Sequence, residues 1–252
     1  MCTLALVTAG GLVTSNDAAL AVPDWPLNWG RLVPPLEGGI RFEFAHRALA
    51  LVTAVLTAIL ALKTRRMRRL AWWAVAAVVA QALVGGALVK LIDPKSLAIV
   101  HASLAEICFG LTVAIAAGYV TGLRPQASGA FSSRLAVATL FAQSVSGAAV
   151  RHGAIGIVPH IVGAVIATGA AMWASLAVLV RHLEDGRMPR PALALLGVTA
   201  LQVFSGIAAY SVRAAAIHDP QPMPLTVWTT VAHVVLGALL LGAAIWLAIA
   251  ED

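Results

Sequence analysis

Charge and cysteine are both scarce in this sequence. Only 11% of its 252 residues are Asp, Glu, Lys or Arg, roughly half the share of an ordinary soluble domain. The two cysteines, Cys2 and Cys108, lie in separate apolar segments, which leaves no disulfide framework and no cysteine-based metal site to read. Apolar surface is what the chain has instead: 60% of the residues are hydrophobic and the mean hydropathy is +0.90. That balance belongs to an all-α integral membrane protein, whose first partner is the lipid bilayer. The formal charge of +6 then serves membrane topology, and no nucleic acid is expected.

The chain opens with Met1 to Thr14, apolar but too short to cross about 30 Å of hydrocarbon as a helix. It reads as the outer part of a first span, truncated at its start. Ser15 to Arg41 follows, a long loop with Pro23, Trp25, Pro26, Trp29, Pro34 and Pro35, and its tryptophans suit a membrane interface. Seven further spans are expected near 43–62, 70–90, 97–121, 134–150, 158–180, 191–212 and 225–249. The fifth is the shortest and is expected to run on into Arg151 to Ile157. Ala, Gly, Leu and Val fill these segments, and the small residues permit close helix packing.

Lys63, Arg65, Arg66, Arg68 and Arg69, with Arg124, Arg134, Arg181, Arg187 and Arg190, fall on one side of the membrane. Arg31, Arg41, Lys90, Lys95, Arg151 and Arg213 fall on the other. The larger set marks the cytoplasmic side, so both termini are expected in the cytoplasm and the first loop outside. The membrane itself is taken to be the cell (inner) membrane.

Glu43-Phe44-Ala45-His46-Arg47 puts a carboxylate, an imidazole and a guanidinium at the edge of a span. In a helix, Glu43 and His46 project from one face. Taken alone, such a stretch also reads as an interfacial polar turn with charges reaching to water. Repetition favours a site. The even spans open on His46, His101, His160 and His233, and the odd spans approach the same face with Gly10-Gly11, Gly85-Gly86, Ser146-Gly147 and Ser205-Gly206. Gln81, Gln143 and Gln202 precede three of these pairs. A helix hairpin with a small-residue pair before the turn and a histidine after it therefore occurs four times, the mark of an internal repeat. Residues 1–122 and 134–252 are expected to form two pseudo-symmetric four-helix bundles, joined by a cytoplasmic linker over 123–133 that contains Pro125, Ser128 and Gly129.

A single histidine on a span is ordinarily a satisfied polar residue. Four in one phase point to ligation, and neutral imidazole binds iron, zinc or copper. Two imidazoles facing each other without carboxylate or thiolate companions suit the axial positions of a heme, and Gly and Ala leave room for a flat porphyrin. Its propionates would point outward, towards Arg47, Lys90, Arg151 or Arg213, each of which also reads as an ordinary loop charge. His152, His182 and His218 break the pattern and read as solvated loop residues. Glu106 lies five residues past His101 and is turned from it by about 140°, towards a neighbouring helix, a proton path or a structural hydrogen bond.

These residues resemble the heme A synthase family of membrane enzymes. The resemblance is carried by Pro23-Asp24-Trp25-Pro26, by Glu43-x-x-His46-Arg47, and by Gln81-Ala82-Leu83-Val84-Gly85-Gly86 leading to His101. It continues in Arg151-His152 leading to Pro159-His160, and in Trp228-Thr229-Thr230 before His233. It covers nearly the whole chain. It implies oxidation of one methyl group of heme O to a formyl group, by successive hydroxylations, giving heme A for terminal oxidases. It implies that the amino-terminal bundle holds the substrate through His46 and His101, and that His160 and His233 of the other bundle ligate heme b. Glu43 matches the family's essential glutamate, as a proton-handling group or as a stabiliser of a cationic intermediate. Heme O synthase and terminal oxidase subunits are the implied partners, and a homo-oligomer is compatible with the pattern.

The chain departs from many relatives in one place. They carry a cysteine pair around Pro-Asp-Trp-Pro where this chain has Val22 and Asn28, so no disulfide or thiol relay operates there. Two rival readings are a diheme electron carrier, which ordinarily sets its hemes near opposite membrane faces, and a heme transport module, which has no use for Glu43 beside a ligand.

Overall fold

The computed structural model describes residues 1–28, 30–122, 130–182 and 189–251. Among these the chain forms eight α-helices: α1 (Cys2–Ser15), α2 (Ile40–Lys63), α3 (Arg68–Lys90), α4 (Lys95–Thr121), α5 (Phe131–Arg151), α6 (Ile157–His182), α7 (Arg190–Ala215) and α8 (Pro224–Ala250). The described residues contain no β-sheet, and Asn28 and Arg31 make an isolated antiparallel bridge in the first loop. Trp29, Arg124, Arg187 and the Pro125, Ser128 and Gly129 of the expected linker lie outside the described residues.

The chain is an all-helical, multi-pass membrane protein. Helices α2, α3, α4, α6, α7 and α8 are each long and apolar enough to cross a bilayer, which takes about 20 residues. Helix α1 has 14 residues, about 21 Å of rise, and is short of that length. Helix α5 has 21 residues and begins at Phe131.

Two expectations are corrected here. Helix α5 does not run on to Ile157 but ends at Arg151. Gly153 takes φ +64°, and the N–H groups of Gly153 and Ala154 bond back to the carbonyls of Val150 and Ala149; a glycine in the left-handed region closes the helix in this way. His182 is not a loop residue but the last residue of α6, with Nδ1 2.9 Å from the Val178 carbonyl. In the last turn the Arg181 cation is favourably placed against the helix dipole, and the His182 ring meets a carbonyl near the helix end.

Start signals follow the sequence: Pro94 and Pro189 stand just before α4 and α7, and Pro224 opens α8, positions where a missing N–H costs nothing. Glu43 in the first turn of α2 and Lys63 in its last complement the helix dipole.

Helix α8 is the most buried, and it packs against α1, α4, α5 and α7. Two buried clusters form, one from α5, α6, α7 and α8 around Leu195, Leu240 and Leu247, the other from α2, α3 and α4 around Ala61, Ala71, Ala74 and Ile115. Ala71, Ala136, Ala171, Ala174 and Ala244 are fully buried; in lipid, such close backbone approach holds helices together through van der Waals fit. Both clusters sit toward the helix ends away from the four histidines. At that end the Arg181 guanidinium bonds Glu251 at 2.5 Å, and Ser133 also bonds Glu251. At the histidine end Ala9, Val13, Ala98, Val227 and Val231 are buried, beside the glycines that touch the four histidines.

Candidate functional site

Each histidine stands near the start of an even helix and leans on a glycine of the odd helix before it. A Cβ placed on Gly10 would meet His46 Cε1 at 3.2 Å, one on Gly85 would meet His101 Cε1 at 3.1 Å, one on Gly147 would meet His160 Cε1 at 3.1 Å, and one on Gly206 would meet His233 Cε1 at 2.9 Å. Real Cβ atoms are rarely held that close, so glycine is what lets the ring lie on the helix. The contacts also fix the repeat's register. Gln81, Val84 and Gly85 align with Gln143, Ser146 and Gly147, with Gln202, Ser205 and Gly206, and with Leu6, Ala9 and Gly10. The small-residue pairs read from the sequence are therefore one residue out of step between the two halves: Gly10 and Gly85, the first members, match Gly147 and Gly206, the second.

The rings meet in pairs. The centroids of His46 and His101 are 6.4 Å apart, and those of His160 and His233 are also 6.4 Å apart, with planes crossed at 73° and 88°. A metal held between two imidazoles by nitrogen bonds of about 2 Å each sets the ring centroids about 6 Å apart. Each pair thus has the span and the donor set of a bis-imidazole iron site. Among the described residues no cluster of three or more His, Cys, Asp or Glu side chains is placed to hold a metal ion; two facing imidazoles are a donor set that a porphyrin, which brings four nitrogens of its own, would complete.

The glutamines brace these helices. Gln81 Nε2 donates to the His101 carbonyl at 2.9 Å, and Gln143 Nε2 donates to the His160 carbonyl at 2.9 Å. Ser146 Oγ lies 3.2 Å from His160 Nδ1, and Ser205 Oγ lies 3.0 Å from His233 Nδ1. The amino-terminal pair lacks such hydroxyls. Nδ1 of His46 and of His101 is buried and no side chain reaches it; the hydrogen-bonding neighbours of these rings are the backbones of Leu6 and Gln81, as Gln202 is for His233.

Glu43 and Arg47 face the first loop. Glu43 is 4% exposed; its Oε2 accepts from the Val22 N–H at 2.7 Å and its Oε1 from Arg47 Nη2 at 2.5 Å. Arg47 also donates to the carbonyls of Val22, Asp24 and Leu27 and to Asn28 Oδ1, at 2.9 to 3.2 Å. The pair, i and i+4 on α2, is a clamp that fastens Val22 to Asn28 onto the helix. Trp25 finishes the seat: a Cβ on Gly86 would come within 2.8 Å of its ring. The sequence showed these residues as a motif without showing that they hold one another.

Arg151 and Arg213 come together at an open crevice of about 450 Å³, which His152, Asp17, Asp93 and Thr226 also line. Arg151 Nη2 donates to Ser15 Oγ at 2.7 Å, tying α5 to the end of α1. Thr226 Oγ1 is buried there without a partner. Burial pushes the His152 imidazole below its usual value, Asp93 opposing and Arg151 reinforcing the shift, so His152 is half-buried rather than solvated; His218 is exposed as expected. Glu106, 9% exposed, has Oε2 buried without a partner.

Residues 1–115 match the family described as cytochrome oxidase assembly protein. A heme A synthase of Symbiobacterium thermophilum is 39% identical over 89 residues, 33% of this chain and 29% of that relative. A heme A synthase of Wolbachia pipientis subsp. Culex pipiens is 32% identical over 113 residues, 40% of this chain and 34% of the relative. The matches thus span about a third of either relative's length. Residues 1–115, which hold the Glu43 clamp and both amino-terminal histidines, are thus similar to the cytochrome oxidase assembly family, and over about a third of its length the chain is similar to two heme A synthases.

Proposed function

We propose that this protein is a heme A synthase: a membrane oxidoreductase that oxidises a methyl group of heme O to a formyl group, giving heme A for terminal oxidase assembly. The observation that carries this reading is the equal 6.4 Å separation of two imidazole pairs in one repeated setting. Residues 1–122 form the substrate half, with His46 and His101 as the ligands of heme O. Residues 134–252 form the cofactor half, with His160 and His233 as the ligands of heme b, and 123–133 join them on the cytoplasmic side. Both termini are then cytoplasmic, and both sites lie near the outer face of the cell (inner) membrane. Heme O synthase and terminal oxidase subunits are the natural suppliers and receivers of such a product.

Bound between His160 and His233, heme b supplies one-electron redox chemistry. The protein's own residues do the rest. The imidazole pairs would hold the porphyrins, and the glycines beneath them set the ring positions. Arg151 and Arg213, with the unpartnered Thr226 hydroxyl between the two halves, offer cations and a donor for heme b propionates. Arg47, also expected to serve the propionates, is engaged with Val22, Asp24, Leu27 and Asn28 and contributes by holding the loop over the substrate. Glu43, with its carboxylate fixed by Arg47 and Val22, is a buried negative charge one turn from His46, placed to accept a proton or to stabilise positive charge at the reacting methyl group.

Co-expression with a source of heme O, followed by chromatography and mass measurement of the extracted pigments, tests the reading. Heme A is expected in cells carrying this chain and absent from cells without it. Heme O unchanged at equal protein level would leave a heme carrier or transport module as the better account.

A further inference from the structure

We propose that Ser205, with Ser146 as its counterpart in α5, is a positioning residue for the carboxy-terminal histidines as iron ligands, in contrast to His46 and His101, whose rings meet no side-chain hydroxyl. The inference rests on the reading that His160 and His233 hold heme b.

The argument starts from one proton. A serine hydroxyl carries a single hydrogen and two lone pairs. Ser205 Oγ lies 2.9 Å from the Gln202 carbonyl, an atom that only accepts, so the hydroxyl proton belongs to that contact. With the hydroxyl proton on that carbonyl, the 3.0 Å contact between Ser205 Oγ and His233 Nδ1 runs from Nδ1–H to the serine, the tautomer that a metal on Nε2 requires. This chain, His233 to Ser205 to the Gln202 carbonyl, leaves Nε2 of His233 without a proton and with its lone pair free for a metal. A ligating histidine whose other nitrogen donates a hydrogen bond is fixed in tautomer and orientation and is a stronger electron donor. At His160 the Nδ1 atom has Ser146 Oγ at 3.2 Å and Gln143 Nε2, which only donates, at 3.0 Å; that second contact favours an accepting Nδ1, so the tether is assigned to Ser205.

The repeat supplies an internal control. The residues in register with Ser146 and Ser205 are Ala9 and Val84, neither with a hydroxyl, and no side chain bonds the buried Nδ1 of His46 or of His101. The same glycine seat and the same ring separation occur in both halves, while the tether occurs in one. A resident cofactor benefits from tethered ligands. A porphyrin that must enter, react and leave is better served by ligands that are seated but not locked.

The test uses the full-length protein with heme b bound, in detergent or nanodiscs, comparing Ser205→Ala, Ser205→Thr, Ser146→Ala and His233→Ala. The readouts are the heme b midpoint potential, the low-spin spectrum, and the rate of heme transfer to an apoglobin scavenger. Removing the Ser205 acceptor makes the imidazole a weaker donor, so Ser205→Ala is expected to raise the potential and to speed heme loss several-fold. Ser205→Thr keeps the hydroxyl, and Val84 shows that a β-branched residue fits this place in the repeat; it is expected to restore both values. Ser146→Ala is expected to shift both in the same direction by less. Ser205→Ala with wild-type potential and heme loss, while His233→Ala removes the heme, overturns the proposal and leaves the heme b site standing. His233→Ala with unchanged heme content and spectrum overturns the heme b site itself, and this inference with it.

Discussion

Gly206 and His233 are in direct contact, and a single added carbon at residue 206 would stand 2.9 Å from the ring's Cε1. The neighbour it would push is an imidazole that cannot yield without losing its hydrogen bond to Ser205. Forcing extra carbons into a filled place costs about 1 to 3 kcal/mol, and here the displacement falls on a candidate iron ligand. Gly206→Ala is therefore expected to lower heme b content several-fold and to convert part of what remains from low spin to high spin. Gly197, in the same helix, has nothing within 4 Å of an added Cβ. Gly197→Ala is expected to keep heme and spectrum and to gain up to about 1 kcal/mol in helix stability. Optical spectra and thermal denaturation of the two variants check this; equal spectra would remove the glycine seat from the account.

The clamp between Glu43 and Arg47 gives a different kind of test, because the same carboxylate is assigned to structure and to chemistry. Glu43→Gln keeps the size of the side chain and an oxygen for the Val22 N–H, but removes the charge. The expected variant folds, keeps heme b and makes little heme A, since removing one electrostatic partner of a transition state commonly costs about a hundredfold or more in rate. Arg47→Gln loses the loop contacts and leaves Glu43 without its cation. It is expected to expose Val22 to Asn28 to proteolysis, which Glu43→Gln does far less. If the two variants show the same proteolysis and the same heme A yield, Glu43 is a loop anchor and has no separate chemical part.

Much of this was legible in the sequence. The long apolar runs and the histidines at the head of each even span required only composition and period to read, because a bilayer demands a fixed helix length and a repeat shows itself by self-similarity. Two details were hidden. Gly10-Gly11 and Gly85-Gly86 do not say which glycine faces a ring, and only contacts with His46 and His101 decide it. The hold of Arg47 on Val22, Asp24, Leu27 and Asn28 is a set of side-chain to loop bonds across about twenty residues, mostly to backbone carbonyls, which every residue type carries. The end of α5 turned on Gly153, where a hydrophobic stretch ran on and the backbone did not. Val22 and Asn28 gain meaning from the same clamp: the Val22 carbonyl and Asn28 Oδ1 both accept from Arg47.

Topology follows from the basic residues and is checked independently of heme. Residues 63–69, 123–133 and 181–190 are expected in the cytoplasm and Ser15 to Arg41 outside. Single cysteines placed in each segment of a variant lacking Cys2 and Cys108, labelled in intact cells with a membrane-impermeant maleimide, report the side directly. Labelling of 63–69 without labelling of the first loop would invert the molecule and put the four histidines at the inner face.

The last prediction turns the difference between the two halves into a gain. Val84 occupies in α3 the place that Ser205 occupies in α7, one residue before the glycine that seats a histidine. His101 Nδ1 is buried there without a partner. Val84→Ser would supply a hydroxyl at the position from which Ser205 reaches His233 Nδ1. A hydrogen bond of this kind contributes about 0.5 to 1.5 kcal/mol net, equivalent to roughly a two- to tenfold longer hold on whatever His101 binds. The variant is expected to co-purify with more heme O or heme A than the wild type and to release it more slowly to a scavenger. Turnover should fall if release limits it, while the heme b spectrum from His160 and His233 stays unchanged. Release at the wild-type rate from a Val84→Ser protein that folds and carries normal heme b would mean that the missing hydroxyl in the amino-terminal half has no bearing on how the substrate exchanges.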